Sequence, residues 1–188
     1  MGSKREKALS RQMRKVILVI CEGETEENYV TLLRKWYKSP IRVISRVEGS
    51  KITPSLVENR TRELKISPHD NVQTYLMYDM DVEAINAKLR ECKAELLLSN
   101  PCFELWLLLH SKDHKSAINA DSVIKELKNS TSVWKNYNKA SFSDTQKAFL
   151  KDKTEIAMER AMRLKEFENP STEVYKLIIK LIDSKKES

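Results

Sequence analysis

The sequence has no apolar run long enough to cross a bilayer. Its longest, around Ile17 and around Leu107, fall far short of the roughly 20 residues a spanning helix needs. The opening residues, Met1 to Lys7, carry lysine and arginine but lack the apolar h-region of a secretory signal. Cysteine is scarce. Cys21, Cys92 and Cys102 form no CxxC pair and each adjoins an apolar segment, so buried reduced thiols are expected rather than metal ligands or disulfides. No internal repeat and no low-complexity tract interrupts the chain. Together these absences exclude a membrane-spanning helix and point to a cytoplasmic protein.

What is present suits one domain of 188 residues, a compact core with an appendage, and 40% hydrophobic content is enough to fill it. The net charge of +7 favours a polyanionic partner. Lys4, Arg5, Lys7, Arg11, Arg14 and Lys15 make a basic stretch, which we take as an N-terminal arm over residues 1–14.

The chain is organised around its first apolar run, Val16 to Cys21, which ends in Glu22-Gly23-Glu24-Thr25-Glu26-Glu27. A short β-branched run fits a strand buried on both faces, as in a parallel sheet. Gly23 permits a sharp turn, and Thr25 is expected to cap a helix over residues 26–38 whose acidic first turn suits its positive end. Strands are then expected at 41–47, 72–78 and 94–99, with helices between them, one of them started by Thr53-Pro54, and a buried helix at 102–110. Alternating strands and helices imply parallel βα units and an α/β core over residues 15–110. Beyond residue 111 no strand is expected. Helices at 121–128, from 144 and at 172–182 make residues 111–188 a helical extension packed on the core.

Two carboxylate motifs stand at strand ends. Residues two apart on a strand point the same way, so Asp79 and Asp81 are expected to project together, away from Met80. Glu22, on an adjacent strand end, would converge on them. Such a cluster suits a hard cation with oxygen ligands, Mg²⁺ or Mn²⁺, which would also let a polyanion approach.

These residues carry a family resemblance. Ile20-Cys21-Glu22-Gly23 through Glu26, followed by Asp79-Met80-Asp81, resembles the Toprim fold of topoisomerases, primases and OLD-type nucleases. More narrowly, Cys21 to Glu26 with Asn28-Tyr29, then Ser99-Asn100-Pro101-Cys102-Phe103-Glu104-Leu105-Trp106, and Asn169-Pro170-Ser171-Thr172, are similar to RloB-like proteins over nearly the whole chain. The resemblance implies a metal-dependent nuclease of the prokaryotic restriction and anti-phage class, acting beside an ABC-type or AAA-like ATPase. It gives Glu22, Asp79 and Asp81 the metal, with Glu22 as ligand or general acid/base, and Glu26 a second metal. The nucleophilic-tyrosine domain of topoisomerases and the zinc elements of primases have no counterpart here. DNA, RNA (tRNA included) and homo-oligomer formation all stay open.

Further candidates are Glu104, facing the metal site or simply buried and hydrogen-bonded, and Lys139, neutralising charge on a cleaved phosphate or merely solvated. His110 and His114 lack a third zinc ligand. Trp134 and Tyr137 either stack on bases or anchor the extension. Two other functions compete: a catalytically silent nucleic-acid-binding or docking subunit, and a phosphoacceptor domain, which the EGxTE opening argues against.

Overall fold

The computed structural model describes residues 15–64 and 71–186. The basic arm and part of the turn at 67–71 lie outside the described residues. The expected α/β architecture is present: a five-stranded, mainly parallel sheet flanked by helices. In chain order the elements are β1 (Lys15–Cys21), α1 (Glu24–Tyr37), β2 (Arg42–Val47), α2 (Pro54–Glu63), β3 (Asn71–Asp79), α3 (Glu83–Glu91), β4 (Glu95–Asn100), α4 (Glu104–Ser111), α5 (Ala120–Ser130), α6 (Asp144–Ala161), β5 (Ser171–Thr172) and α7 (Tyr175–Lys186). The strands lie in the order β2-β1-β3-β4-β5, and only β5 runs antiparallel to its neighbour.

Strand β1 is central because residues 16–21 are all buried, with no polar side chain to solvate. Alternation then divides its residues between two cores. Ile17, Val19 and Cys21 join Tyr75, Met77 and Leu97 beneath α1, α4, α5, α6 and α7. Leu18 and Ile20 join Leu76, Tyr78 and Leu98, with Val57 of α2 and Leu89 of α3, on the opposite face. Helix α4 is enclosed on every side: residues 104–110 are all buried, Glu104 and His110 with the apolar residues between them. All three cysteines are free and buried. Among the described residues no helix is long and apolar enough to cross a membrane.

Three expectations change. A strand does follow residue 111: Ser171 and Thr172 pair with Asn100 and Ser99, and Ser99 Oγ lies 2.9 Å from Thr172 Oγ1. The last helix therefore starts at Tyr175 rather than Thr172. Gly23, not Thr25, caps α1. Its N–H donates to Glu26 Oε2 (3.2 Å), while the Thr25 hydroxyl is taken by the Ala140 N–H at 2.9 Å. Finally, Asp79 and Asp81 are not two steps of one strand. β3 ends at Asp79, Met80 N–H bonds to Ser99 O at 2.9 Å, and Asp81 lies beyond in an exposed bend.

Candidate functional site

The carboxyl ends of β1 and β3 meet the start of α1, the start of α4 and the loop at 134–140. Backbone amides hold the acids there. Asp79 N–H donates to Glu22 Oε2 at 2.9 Å, and Phe103 N–H, just before α4, donates to Asp79 Oδ1 at 2.7 Å. Each acid so held spends one oxygen on an amide, leaving Glu22 Oε1 and Asp79 Oδ2 without a partner among the described residues. A Cβ at position 23 would sit 3.2 Å from Glu26 Oε2, so a larger residue there would push that carboxyl aside by a few tenths of an ångström.

Glu104 is 2% exposed and accepts from the Tyr137 hydroxyl at 3.1 Å, with Lys139 Nζ 3.4 Å from the same oxygen. The structure thus makes Glu104 buried and hydrogen-bonded, and it also sets it at the site. Lys139 had no motif to place it. Its side chain is 60% exposed, yet the loop delivers its ammonium to the acids. Trp134 and Tyr137 are both buried, with Trp134 Nε1 donating to Ser111 Oγ at 3.0 Å, so they anchor the loop and offer no face to a base. Tyr137 and Thr25 position this loop, and spacing in sequence gave no sign of either role.

Electrostatics confirm that the acids crowd one another. Burial raises Glu22 above the usual carboxylate range, with Asp81 adding to the rise and the amide of Asp79 and the Lys139 charge opposing it. Glu26 is pushed up to about 7 by burial, then by Glu104 and Glu22. Asp79 is raised well above its ordinary value by burial and by Glu26, Glu22 and Glu104. Lys139 is raised: burial works against its charge, but Glu104 and Asp79 outweigh it. Like charges gathered in a buried site disfavour one another's ionised form. Glu22, Glu26, Asp79, Glu104 and Lys139 therefore form one cluster, with exposed Asp81 at its rim.

An all-oxygen donor set of mutually repelling acids has the chemistry that a hard divalent cation relieves. In these side-chain positions, however, no three His, Cys, Asp or Glu among the described residues converge as a metal cage. The amide hydrogen bonds and the outward position of Asp81 account for this. His110 is buried, with its ring Nδ1 2.9 Å from Trp106 O, and His114 Nε2 lies 2.8 Å from Ser116 O.

Neither the curated proteins nor the solved structures contain a significant match to the chain. A family model described as RloB-like protein matches residues 17–181, a span from the second position of the described β1 apolar run to the end of the α7 core stripe. With the strand-end acids, the glycine cap and the segment that feeds α4 all inside that match, the chain belongs to the RloB-like family.

Proposed function

We propose that the chain is a Mg²⁺- or Mn²⁺-dependent Toprim-type nuclease, the effector of an anti-phage or restriction-linked system that works beside an ABC- or AAA-type ATPase. The observation that carries this reading is the gathering of Glu22, Glu26, Asp79, Glu104 and Lys139 at the carboxyl ends of two adjacent parallel strands. Ligand chemistry in open parallel sheets concentrates at that edge. Membership of the RloB-like family supports it, through the resemblance to OLD-type nucleases.

In this reading Glu22, Asp79 and Asp81 would hold the cation, and Glu26 would hold a second ion. The cation supplies Lewis-acid polarisation of a phosphate oxygen and a more acidic water. If Glu22 acts as the general base instead of a ligand, it would take the proton of the attacking water as the new P–O bond forms, and the leaving oxygen would take a proton from solvent as its bond to phosphorus breaks. Glu104 and Tyr137 keep Lys139 in place, and its ammonium offsets the charge that builds on the phosphate.

Purified protein, with its ATPase partner, is to be incubated with labelled DNA and RNA in Mn²⁺ and in EDTA. Cleavage is expected only with metal, and Glu22→Gln or Asp79→Asn should lower it by about 10²-fold or more. Full metal-dependent cleavage by both variants would sink the assignment. Thermal shift gives a second readout: Mn²⁺ should raise the Tm of wild type and not of Asp79→Asn.

The absence of a preformed metal cage among the described residues favours one rival, a catalytically silent nucleic-acid-binding or docking subunit. That rival expects salt-dependent binding that Asp79→Asn leaves intact, no Mn²⁺ shift, and no cleavage by wild type.

A further inference from the structure

Beside the acid cluster the surface opens into a groove that shares Asp81 with the chemistry above. Asp81, Asn100 and Pro101 form its end at the cluster, and Ile118, Asn119 and His114 line it further out, around a volume of about 780 Å³. A second hollow, of about 520 Å³, carries Lys112, Lys125 and Asn129. Ser122 and Glu126 line both, so the two hollows run on along α5 as one track. From Asn119 to Asn129 an α-helix advances about 15 Å.

The two ends differ in chemistry. At the cluster end no lysine or arginine among the described residues lines the wall. It offers amide groups with unspent atoms: Asn100 donates through Nδ2 to Phe167 O, which leaves its carbonyl, and Asn119 accepts through Oδ1 from Ser122 N–H, which leaves its amine. Half-buried Ile118 supplies apolar surface beside them, with buried Pro101 behind the wall. That combination of flat apolar contact with one donor and one acceptor suits a base edge and not a phosphate. The far end is cationic. Glu126 is already answered by Lys112 at 2.7 Å and by His114 Nδ1 at 3.4 Å, so the Lys125 charge is left for an incoming anion.

We propose that this track along α5 binds a single strand of nucleic acid, seating a base beside Asp81 and Asn100 and a backbone phosphate beside Lys125. It rests on the reading of the cluster as a phosphodiesterase, for which it would lead the strand to the acids. A free anion would need no amide-lined end, and a protein helix would not match one polar-amide and one cationic end.

Binding of fluorescein-labelled oligo(dT) and oligo(U), followed by anisotropy in EDTA and again in Ca²⁺ to offset the repulsion of the acid cluster, separates the track from the chemistry. Lys125→Glu and Ser122→Glu should each weaken binding about tenfold at low salt, and Lys125→Glu should flatten the log–log salt dependence by nearly one contact's worth. Both should fold: Lys125 is exposed, and a glutamate at position 122 falls three residues after the Asn119 cap, where it favours the helix. Lys128→Glu makes the same charge change on α5 but lines neither hollow, and should stay within about twofold of wild type. The proposal is overturned if wild type binds neither oligomer, if the two groove variants bind like wild type, or if Lys128→Glu loses as much as Lys125→Glu. Groove-dependent binding together with no metal-dependent cleavage would uphold the track and remove the nuclease reading instead.

Discussion

Glu173 shows how much a single buried residue costs this fold. Its backbone N–H bonds to Leu98 O at 2.9 Å, which ties the end of β5 to the sheet. Its carboxyl is 1% exposed, receives a long 3.4 Å bond from Phe167 N–H on one oxygen, and leaves Oε2 buried without a partner. Burial pushes its pKa up to about 7 from an ordinary 4.5, with Phe167 N–H and Lys176 opposing. A folded-state value above the unfolded one means that the native state holds the proton more tightly. The contribution of Glu173 to stability is therefore fully present below about pH 4.5 and is lost as pH rises through about 7. Glu173→Gln should raise stability at pH 8 by about 1–3 kcal/mol and reduce the fall across that window. Urea titrations of both proteins at several pH values check this. Some slope should persist in the variant, because Glu22, Glu26 and Asp79 are raised by burial and by one another and act in the same direction. An unchanged slope in Glu173→Gln would exclude the assignment.

At the scale of elements, the loop at 134–140 decides whether the site is complete. It is fastened at both ends: Trp134 to Ser111, Tyr137 to Glu104, and Ala140 by its N–H to Thr25 and by its carbonyl to the Asn28 side chain. Ala140 takes a left-handed φ of 71°, a conformation that a residue with a Cβ holds only when its surroundings impose it. Tyr137→Phe removes the hydroxyl and leaves buried Glu104 with Lys139 as its partner. The expected loss is about 1–3 kcal/mol, with a fall in cleavage although Lys139 is intact. Lys139→Ala should instead cost activity with little change in denaturation midpoint, since its side chain is mostly exposed. Equal effects of the two on stability would contradict this division.

For the molecule as a whole, α4 is the shared centre. It carries Leu105, Leu107, Leu108 and Leu109 into a core that also holds β1 residues on one side and α5, α6 and α7 residues on the other. β5, from the C-terminal part of the chain, completes the sheet. A core that spans the boundary near residue 110 should unfold as one unit. Leu107→Ala is expected to destabilise by about 2–5 kcal/mol while circular dichroism and tryptophan fluorescence report one coincident transition. Two separated transitions would show that residues 111–188 melt on their own.

The sequence by itself determined the local features. A β-branched run of six apolar residues marks β1 as a buried strand, and its acids sit at the strand end because the glycine turn follows at once. The βα alternation up to residue 110, the Thr53 cap with Pro54 behind it and the buried α4 were readable for the same reason: each is set by neighbours a few residues away. The tertiary structure decided what depends on distant partners. Ser171–Thr172 has no periodicity to announce a strand and becomes one only because the edge of β4 offers unpaired backbone groups. Thr25 gives up capping because Ala140, 115 residues away, takes its hydroxyl. Asp81 leaves the expected pair because β3 stops at Asp79, and Lys139 joins the acids because its loop packs against α4 and α1. Glu22 was marked by its place at the end of β1; the company it keeps was chosen by long-range packing.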